Sequence, residues 1–272
     1  MSIRTNTASM EAHNNLVNTS NELQTSMERL SSGYRINTAA DDAAGYAISE
    51  KLDAQVSGLQ QAQQNAQDAT SLVQTAEGAI NTVQTMLQRV RDLAVEYNNG
   101  TLDSADQAAI TNEVAQLCEE IAQIASQTSF NGIALLSGGA TITFQVGAND
   151  GETITVSALS LFGSGSSFDI DSAIFDFSGA TVTLASLDAA LDNVSQADST
   201  FGAVQNRLTD TLTNLASYQE NLSAAEGTIR DTDMASEMAN FTSLQVLQQA
   251  GTSMLAQANT SQQNILRLLQ GG

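Results

Sequence analysis

The 272-residue sequence has no proline and no tryptophan, and it holds one cysteine (Cys118), one histidine (His13) and one lysine (Lys51). Without proline, no position is barred from a helix interior. A single cysteine excludes an internal disulfide. His13 and Cys118 fall on separate predicted helices, so neither has the second ligand or the neighbouring base that metal or nucleophilic chemistry needs. Aromatic residues make up 4% of the chain, which disfavours a large core of interlocking rings and favours helix seams packed by aliphatic and small side chains. No run of 18 apolar residues occurs, and residues 1–16 lack the apolar core of a signal peptide. Neither a membrane span nor signal-peptide secretion is expected, while cytosolic residence and export by another route both stay open.

Positive charge is scarce as well. Nine basic residues stand against 30 acidic ones, for a net charge of −21. Nucleic acid and anionic membranes are therefore excluded as expected partners, because binding their phosphates needs cations. The distribution is more informative than the total. Residues 1–36 carry Arg4, Arg29 and Arg35 against Glu11, Glu22 and Glu28, and residues 234–272 carry Arg267 against Glu237, so the whole excess lies in 37–233. Burying charge is costly unless it is paired. The two neutral ends are thus the candidates for a packed interior, and the acidic middle for the wet face.

What is present is helical periodicity. Leu16, Leu23, Met27, Leu30 and Tyr34 form one stripe, which Gly33 weakens, and Thr38-Ala-Ala-Asp41 reads as a capping box opening a new helix. Val56, Leu59, Ala62, Ala66, Ala69, Val73, Ala76, Ile80, Val83, Leu87, Val90, Ala94 and Tyr97 then follow at alternating gaps of three and four, the mark of a coiled-coil seam. Asn99-Gly100 is the stop, Ser104-Ala-Asp-Gln107 reads as the next capping box, and Ile110, Val114, Leu117, Ile121 and Ile124 make a third stripe. The period changes to two at Ile142, Phe144, Val146 and Ile154, Val156, on either side of Gly147-Ala-Asn-Asp-Gly151: a β-hairpin. Gly163–Ser167 reads as a loop and 168–184 as extended or irregular chain. Helical spacing resumes from Leu187 to Ile229, and a final stripe includes Met234, Met238, Phe241, Leu244, Leu247, Met254, Ile265 and Leu268.

These readings predict a mainly α protein: an elongated antiparallel coiled-coil helix bundle with paired terminal helices and a small β-hairpin segment at the far end. Its segments are 1–36, 37–136, 137–185, 186–230 and 231–272. Paired carboxylates such as Asp41-Asp42, Glu119-Glu120 and Asp231/Asp233 read as caps and solvated charge rather than acid/base pairs, since adjacent residues do not converge on a helix. No cofactor, no metal and no enzymatic activity are expected. A pair of thin, uncharged terminal stripes makes a small core by itself, and it predicts completion by the same ends of other subunits. Leu16, Leu23, Met27, Leu30, Met234, Met238, Phe241, Leu247, Ile265 and Leu268 are the expected packing residues.

The stretch Ser31-Ser-Gly-Tyr-Arg-Ile-Asn-Thr-Ala-Ala-Asp-Asp-Ala-Ala-Gly-Tyr-Ala-Ile-Ser49 closely resembles the signature of bacterial flagellins. Leu87–Val95, Gln127–Gly132, Ile229–Met238 and Asn264–Leu269 are similar to flagellin motifs in the same order, and the resemblance covers about 1–137 and 187–272. It implies a secreted, extracellular filament subunit of the minimal kind, lacking the variable outer domains, with the terminal helices as the inner tube. It further implies unfolded export through the flagellar type III apparatus, an export chaperone on the C-terminal helices, and assembly beneath a cap next to hook-junction proteins. Where the host Toll-like receptor that senses flagellin responds, the matching contact residues are Arg89, Leu93 and Glu113. A hook-filament junction protein shares the terminal architecture, but its counterpart of Thr38–Ala43 usually carries prolines. A secreted coiled-coil effector would explain the heptads without the two neutral, mirrored ends.

Overall fold

The computed structural model describes residues 6–138, 141–157 and 184–270, with side chains described as far as residue 261. Among the described residues five helices and four short strands follow in order: α1 (Thr7–Ser32), α2 (Ala43–Tyr97), α3 (Ser104–Gln127), β1 (Ser129–Phe130), β2 (Ile133–Ala134), β3 (Thr141–Gln145), β4 (Thr153–Ser157), α4 (Leu184–Arg230) and α5 (Met234–Gln270). The mainly α, coiled-coil class expected from the sequence is what the chain adopts. The chain divides into two compact units, residues 55–220 on the one hand and residues 1–54 with 221–272 on the other.

The 55–220 unit holds most of the buried apolar surface. Every seam residue from Leu59 to Ala94 is at most 2% exposed, and Leu72 and Leu93 widen that stripe. Against it pack Ile121 and Ala125 of α3, and Val194, Phe201 and Leu208 of α4. Alanines at 62, 66, 69 and 76 keep α2 slim enough for close approach. A second cluster joins Val90, Leu93 and Ala94 to Ile110, Val114 and Leu187, with Cys118 against its edge. Exposed ion pairs staple these helices from outside: the Arg89 guanidinium donates to Glu113 Oε1 at 2.7 Å, and Arg91 to Asp188 at 2.6 Å.

The β-hairpin expected around Gly147–Gly151 is β3–β4, antiparallel, with Ile142 opposite Val156 and Phe144 opposite Ile154. The alternation buries Ile154 and Val156. Asn65 of α2 donates to the Gln145 carbonyl at 3.0 Å and ties the hairpin to the helix. A second hairpin, β1–β2, was not expected. Its turn is Asn131-Gly132, with φ of 49° and 80°, the two successive positive values that a two-residue hairpin turn requires.

Two helix starts differ from expectation. Thr38 does not open α2: Asp41 Oδ2 accepts from the Asn37 and Thr38 amides and the Thr38 hydroxyl, closing a separate turn. The helix begins at Ala43, capped by Asp42, whose Oδ1 accepts from the Ala44 and Gly45 amides at 3.1 and 3.0 Å. Likewise α3 is capped by Asp103 and not by Ser104, its Oδ1 accepting from Ala105 and Asp106 at 2.8 Å. In both places an aspartate wins, Asp42 four residues beyond Thr38 and Asp103 just before Ser104, because an ionised oxygen accepts amide hydrogens more strongly and also suits the positive end of the helix dipole. The loop at 163–167 and the extended reading of 168–183 lie outside the described residues.

Candidate functional site

The unit formed by residues 1–54 and 221–272 is built differently. Helix α1 opens on Asn6, whose Oδ1 accepts from Ser9 N at 3.0 Å, and closes on Gly33 at φ 78°, whose N–H returns to the Arg29 carbonyl. Only a residue at ease in the left-handed region closes a helix this way. The chain then runs extended and pairs with the break between α4 and α5. Tyr34 bridges Asp231 antiparallel, Arg35 N donates to the Arg230 carbonyl at 2.6 Å, and Thr232 N donates to the Gly33 carbonyl at 3.0 Å. The Arg35 guanidinium adds a bond to the Ile229 carbonyl at 2.6 Å.

Arg230 is the centre of this clasp. Its guanidinium lies 4.6 Å from the Tyr34 ring centroid and 5.8 Å from that of Tyr46, contacts worth about 1–2 kcal/mol where partly desolvated. Glu50 lies 3.4 Å from it and Glu226 4.0 Å. Burial, and then Asp53, push the Glu226 carboxyl above its ordinary range despite Arg230. Gly45 is required by packing: a Cβ there would sit 2.5 Å from Asp42 Oδ2 and 2.8 Å from Ile36 Cδ1. Asp233 caps α5 through Ala235 and Ser236.

Beyond the clasp, α1 and α5 lie antiparallel. The inward face of α1 is Ser9, Ala12, Leu16, Thr19, Leu23, Ser26 and Leu30; that of α5 is Phe241, Leu244, Gln248, Gly251, Leu255 and Ala258. Both follow gaps of three and four. Leu16 Cδ1 would lie 3.2 Å from a Cβ at Gly251, and the outer end is tied by Asn6 Nδ2 to the Ala258 carbonyl at 3.2 Å and by Ser9 to Asn259 at 2.9 Å. The seam is thin. Ile36 and Leu244 are the buried apolar residues among the described ones of this unit, and Ser26 Oγ, Arg29 Nε and Glu237 Oε1 are enclosed without a hydrogen-bond partner.

The outer faces of α1 and α5, with Tyr34 in the bridge and Ile48 on α2, carry what the seam leaves out. Met10, Val17, Met27, Tyr34, Ile48, Met234, Met238, Val246, Leu247 and Met254 are exposed by 39–64%, whereas the 55–220 unit exposes Val95, Ile133 and Tyr218. Among the residues whose side chains are described, ten of these thirteen large apolar side chains therefore lie on the 90 of this unit and three on the 138 of the other. Of the packing residues named from the sequence, Leu16, Leu23, Leu30 and Phe241 sit in the seam. Met27, Met234, Met238 and Leu247 face outward, and the side chains of Ile265 and Leu268 lie outside the described residues. Arg89 and Glu113 are exposed and joined to each other, while Leu93 is 2% exposed within the core. Tyr34, expected as the last position of the first stripe, lies beyond α1 in the bridge to Asp231, because Gly33 ends the helix, and Arg230, Tyr46 and Gly251 are not singled out by the sequence. Nothing local marks them, although the heptad spacing of the seam was present, hidden in serines and threonines.

Among the described residues no group of three His, Cys, Asp or Glu could hold a metal ion, and no described helix is long and apolar enough to cross a membrane. Cys118 is half-buried, and burial pushes its thiol up to about 12.

Comparison with known proteins gives a consistent result. Residues 3–141 match the family model described as the bacterial flagellin N-terminal helical region, and residues 184–269 match the bacterial flagellin C-terminal helical region. A flagellin of Halalkalibacterium halodurans is 47% identical over 272 residues, covering 99% of this chain and 100% of that one. A flagellar filament 30.7 kDa core protein of Treponema maltophilum is 39% identical over 284 residues, again covering 99% and 100%. Among solved structures, Bacillus cereus flagellin is similar at 32% identity and a TM-score of 0.50, covering 60% of this chain and 94% of that one.

Proposed function

The chain belongs to the bacterial flagellin family, and from that premise we propose that it is a structural subunit of a flagellar filament whose terminal helices complete their folding against those of neighbouring copies. The observation that carries the mechanism is the concentration of exposed apolar side chains on the unit with the thinnest interior. Finishing the burial of a half-exposed Met, Val or Leu is worth roughly 1 kcal/mol. Ten such residues therefore supply on the order of 10 kcal/mol, a sum comparable with the cost of association. The enclosed polar atoms of the seam each cost about 1–3 kcal/mol, which weakens the isolated α1–α5 pair further and makes its order depend on assembly.

The negative charge acts in the other direction. With the excess confined to 37–233, neighbouring subunits repel one another across distances that salt screens beyond about 8 Å. Added salt promotes filaments, and a kosmotrope does so more strongly because it also favours apolar burial.

The same reading places the protein outside the cell, exported through the flagellar channel with a chaperone on the C-terminal helices, and added beneath a cap beyond the hook-junction proteins. If the host Toll-like receptor for flagellin engages the chain, the surface around the Arg89–Glu113 pair is what is offered, with Leu93 supporting it from beneath. The junction-protein and effector readings gain no support, since both family models and the full-length relatives are flagellins or filament core proteins. The test is deletion of 234–272. A soluble, helical chain that forms no filaments is expected, and filaments from that truncation would refute the mechanism.

A further inference from the structure

We propose that the register of α1 on α5 is set chiefly by the clasp around Arg230, the seam between the two helices adding the polar pairs at its outer end. The inference rests on the filament reading only for its consequence.

The seam alone holds its register weakly. In the observed pairing Leu16 faces the notch at Gly251. Move α5 by one heptad and Leu23 takes that notch, Leu16 faces Ala258, and Leu30 faces Leu244. Two of these three pairings still set a leucine against a small residue, so the slip costs little in this stretch, and it is the unequal sizes of Phe241 and Gln248 that favour the observed register. Coiled coils ordinarily break this degeneracy with a matched polar pair or a charge pair. Here such pairing lies at the outer end, where Ser9 bonds Asn259 and Asn6 donates to the Ala258 carbonyl, while the enclosed polar atoms of Ser26, Arg29 and Glu237 are without a partner.

The clasp fixes the register. Its pairings of Gly33 with Thr232 and Arg35 with Arg230 belong to the same antiparallel register as Leu16 with Gly251 and Ser9 with Asn259, since the residues between them on the two strands are nearly equal in number. The tethers are short. Gly33 alone separates α1 from the bridge at Tyr34, and Thr232 and Asp233 alone separate the bridge at Asp231 from α5. A slip of seven residues moves a helix about 10 Å along its axis. Three residues already in use span at most about 10 Å when fully extended, so the slip cannot occur while the clasp is closed. Arg230 holds it closed, its carbonyl accepting from Arg35 and its guanidinium set against Tyr34, Tyr46, Glu50 and Glu226.

The consequence lies on the outer faces. Register fixes where Met10, Val17 and Met27 stand relative to Met238, Leu247 and Met254, so only one register presents the apolar pattern that a neighbouring copy must meet.

The test uses the full chain with Cys118→Ser and spin labels on Asn14→Cys and Thr252→Cys, exposed positions near the Leu16–Gly251 contact that leave the Ser9–Asn259 pair in place, followed by dipolar broadening in solution at rising ammonium sulfate. Two changes are compared with the intact clasp: Arg230→Ala, and a short Gly/Ser insertion between Thr232 and Asp233 that keeps every clasp residue but loosens the tether. Broadening is expected with the clasp and tether intact. In both variants much of it should be lost to a second population with the labels displaced by about 10 Å along the helix axis, with the melting of the 55–220 unit unchanged. Should Arg230→Ala simply unpair the helices, the insertion variant decides. Unchanged broadening in the insertion variant, or none at any salt with the clasp intact, would overturn the proposal. Because the labels report register whether or not filaments form, failure here is distinguishable from failure of the filament reading.

Discussion

Leu247 and Met254 lie on α5 one heptad apart, 53% and 63% exposed. Replacing both with serine removes apolar surface that the isolated chain does not bury but an assembled one does. Fully burying such a side chain is worth about 1.5–3 kcal/mol, and with half already covered roughly 1 kcal/mol each is left for assembly. The pair therefore contributes on the order of 2 kcal/mol, and the critical concentration for polymerisation should rise about thirtyfold at 1.4 kcal/mol per decade. Sedimentation of seeded reactions at steady state measures it directly. Val95→Ser, which removes a side chain 50% exposed on α2, is the matched control and should leave the critical concentration nearly unchanged. Thermal unfolding of the double variant should match that of the parent chain, since both side chains are exposed in the monomer. A double variant that polymerises at the parent's critical concentration, or a control that is equally impaired, would refute the assignment of assembly to the terminal faces.

Three further outcomes follow from local geometry. Gly45→Ala should destabilise the clasp by about 1–3 kcal/mol, seen as earlier proteolysis of residues 1–54, because its methyl group meets Asp42 and Ile36; unchanged proteolysis would mean the loop repacks freely. Cys118 should react with a thiol reagent at neutral pH far more slowly in the native chain than in urea, since burial holds the thiol near 12, and equal rates would contradict that burial. Burial and then Asp198 raise the Glu77 carboxyl above its ordinary range, so its charge costs stability above the folded-state value and costs nothing below the unfolded value near about 4.3. Glu77→Gln should therefore raise Tm slightly at pH 7, with the gain vanishing as pH falls to about 4, and a gain that persists in acid would point to another cause.

The long seam of α2 was readable because its period is strict and its residues are Val, Leu, Ile and Ala, so that every position from Leu59 to Ala94 named from spacing is buried. The β3–β4 hairpin was readable for the same reason at a period of two. Helix starts were less so. Thr38 and Ser104 have the form of caps, but competition with Asp42 and Asp103 is settled by which oxygen reaches the free amides. The terminal helices show the deeper limit. Each carries two partly apolar faces, and spacing cannot tell the face that meets α1 or α5 in the same chain from the face left outward. Met234, Met238 and Leu247 are among the outward ones. The clasp was legible only as a string of signature residues, because the approach of Tyr34 and Tyr46 to Arg230 joins segments far apart in sequence.

The most direct test of the account is electron microscopy of the purified chain at rising ammonium sulfate, with and without preformed filament seeds, alongside the chain lacking 234–272. Long uniform filaments from the full chain, promoted by salt and seeds and absent from the truncation, are the predicted result. Full-length chains that remain monomeric with seeds at every salt concentration, or truncated chains that polymerise, would contradict it.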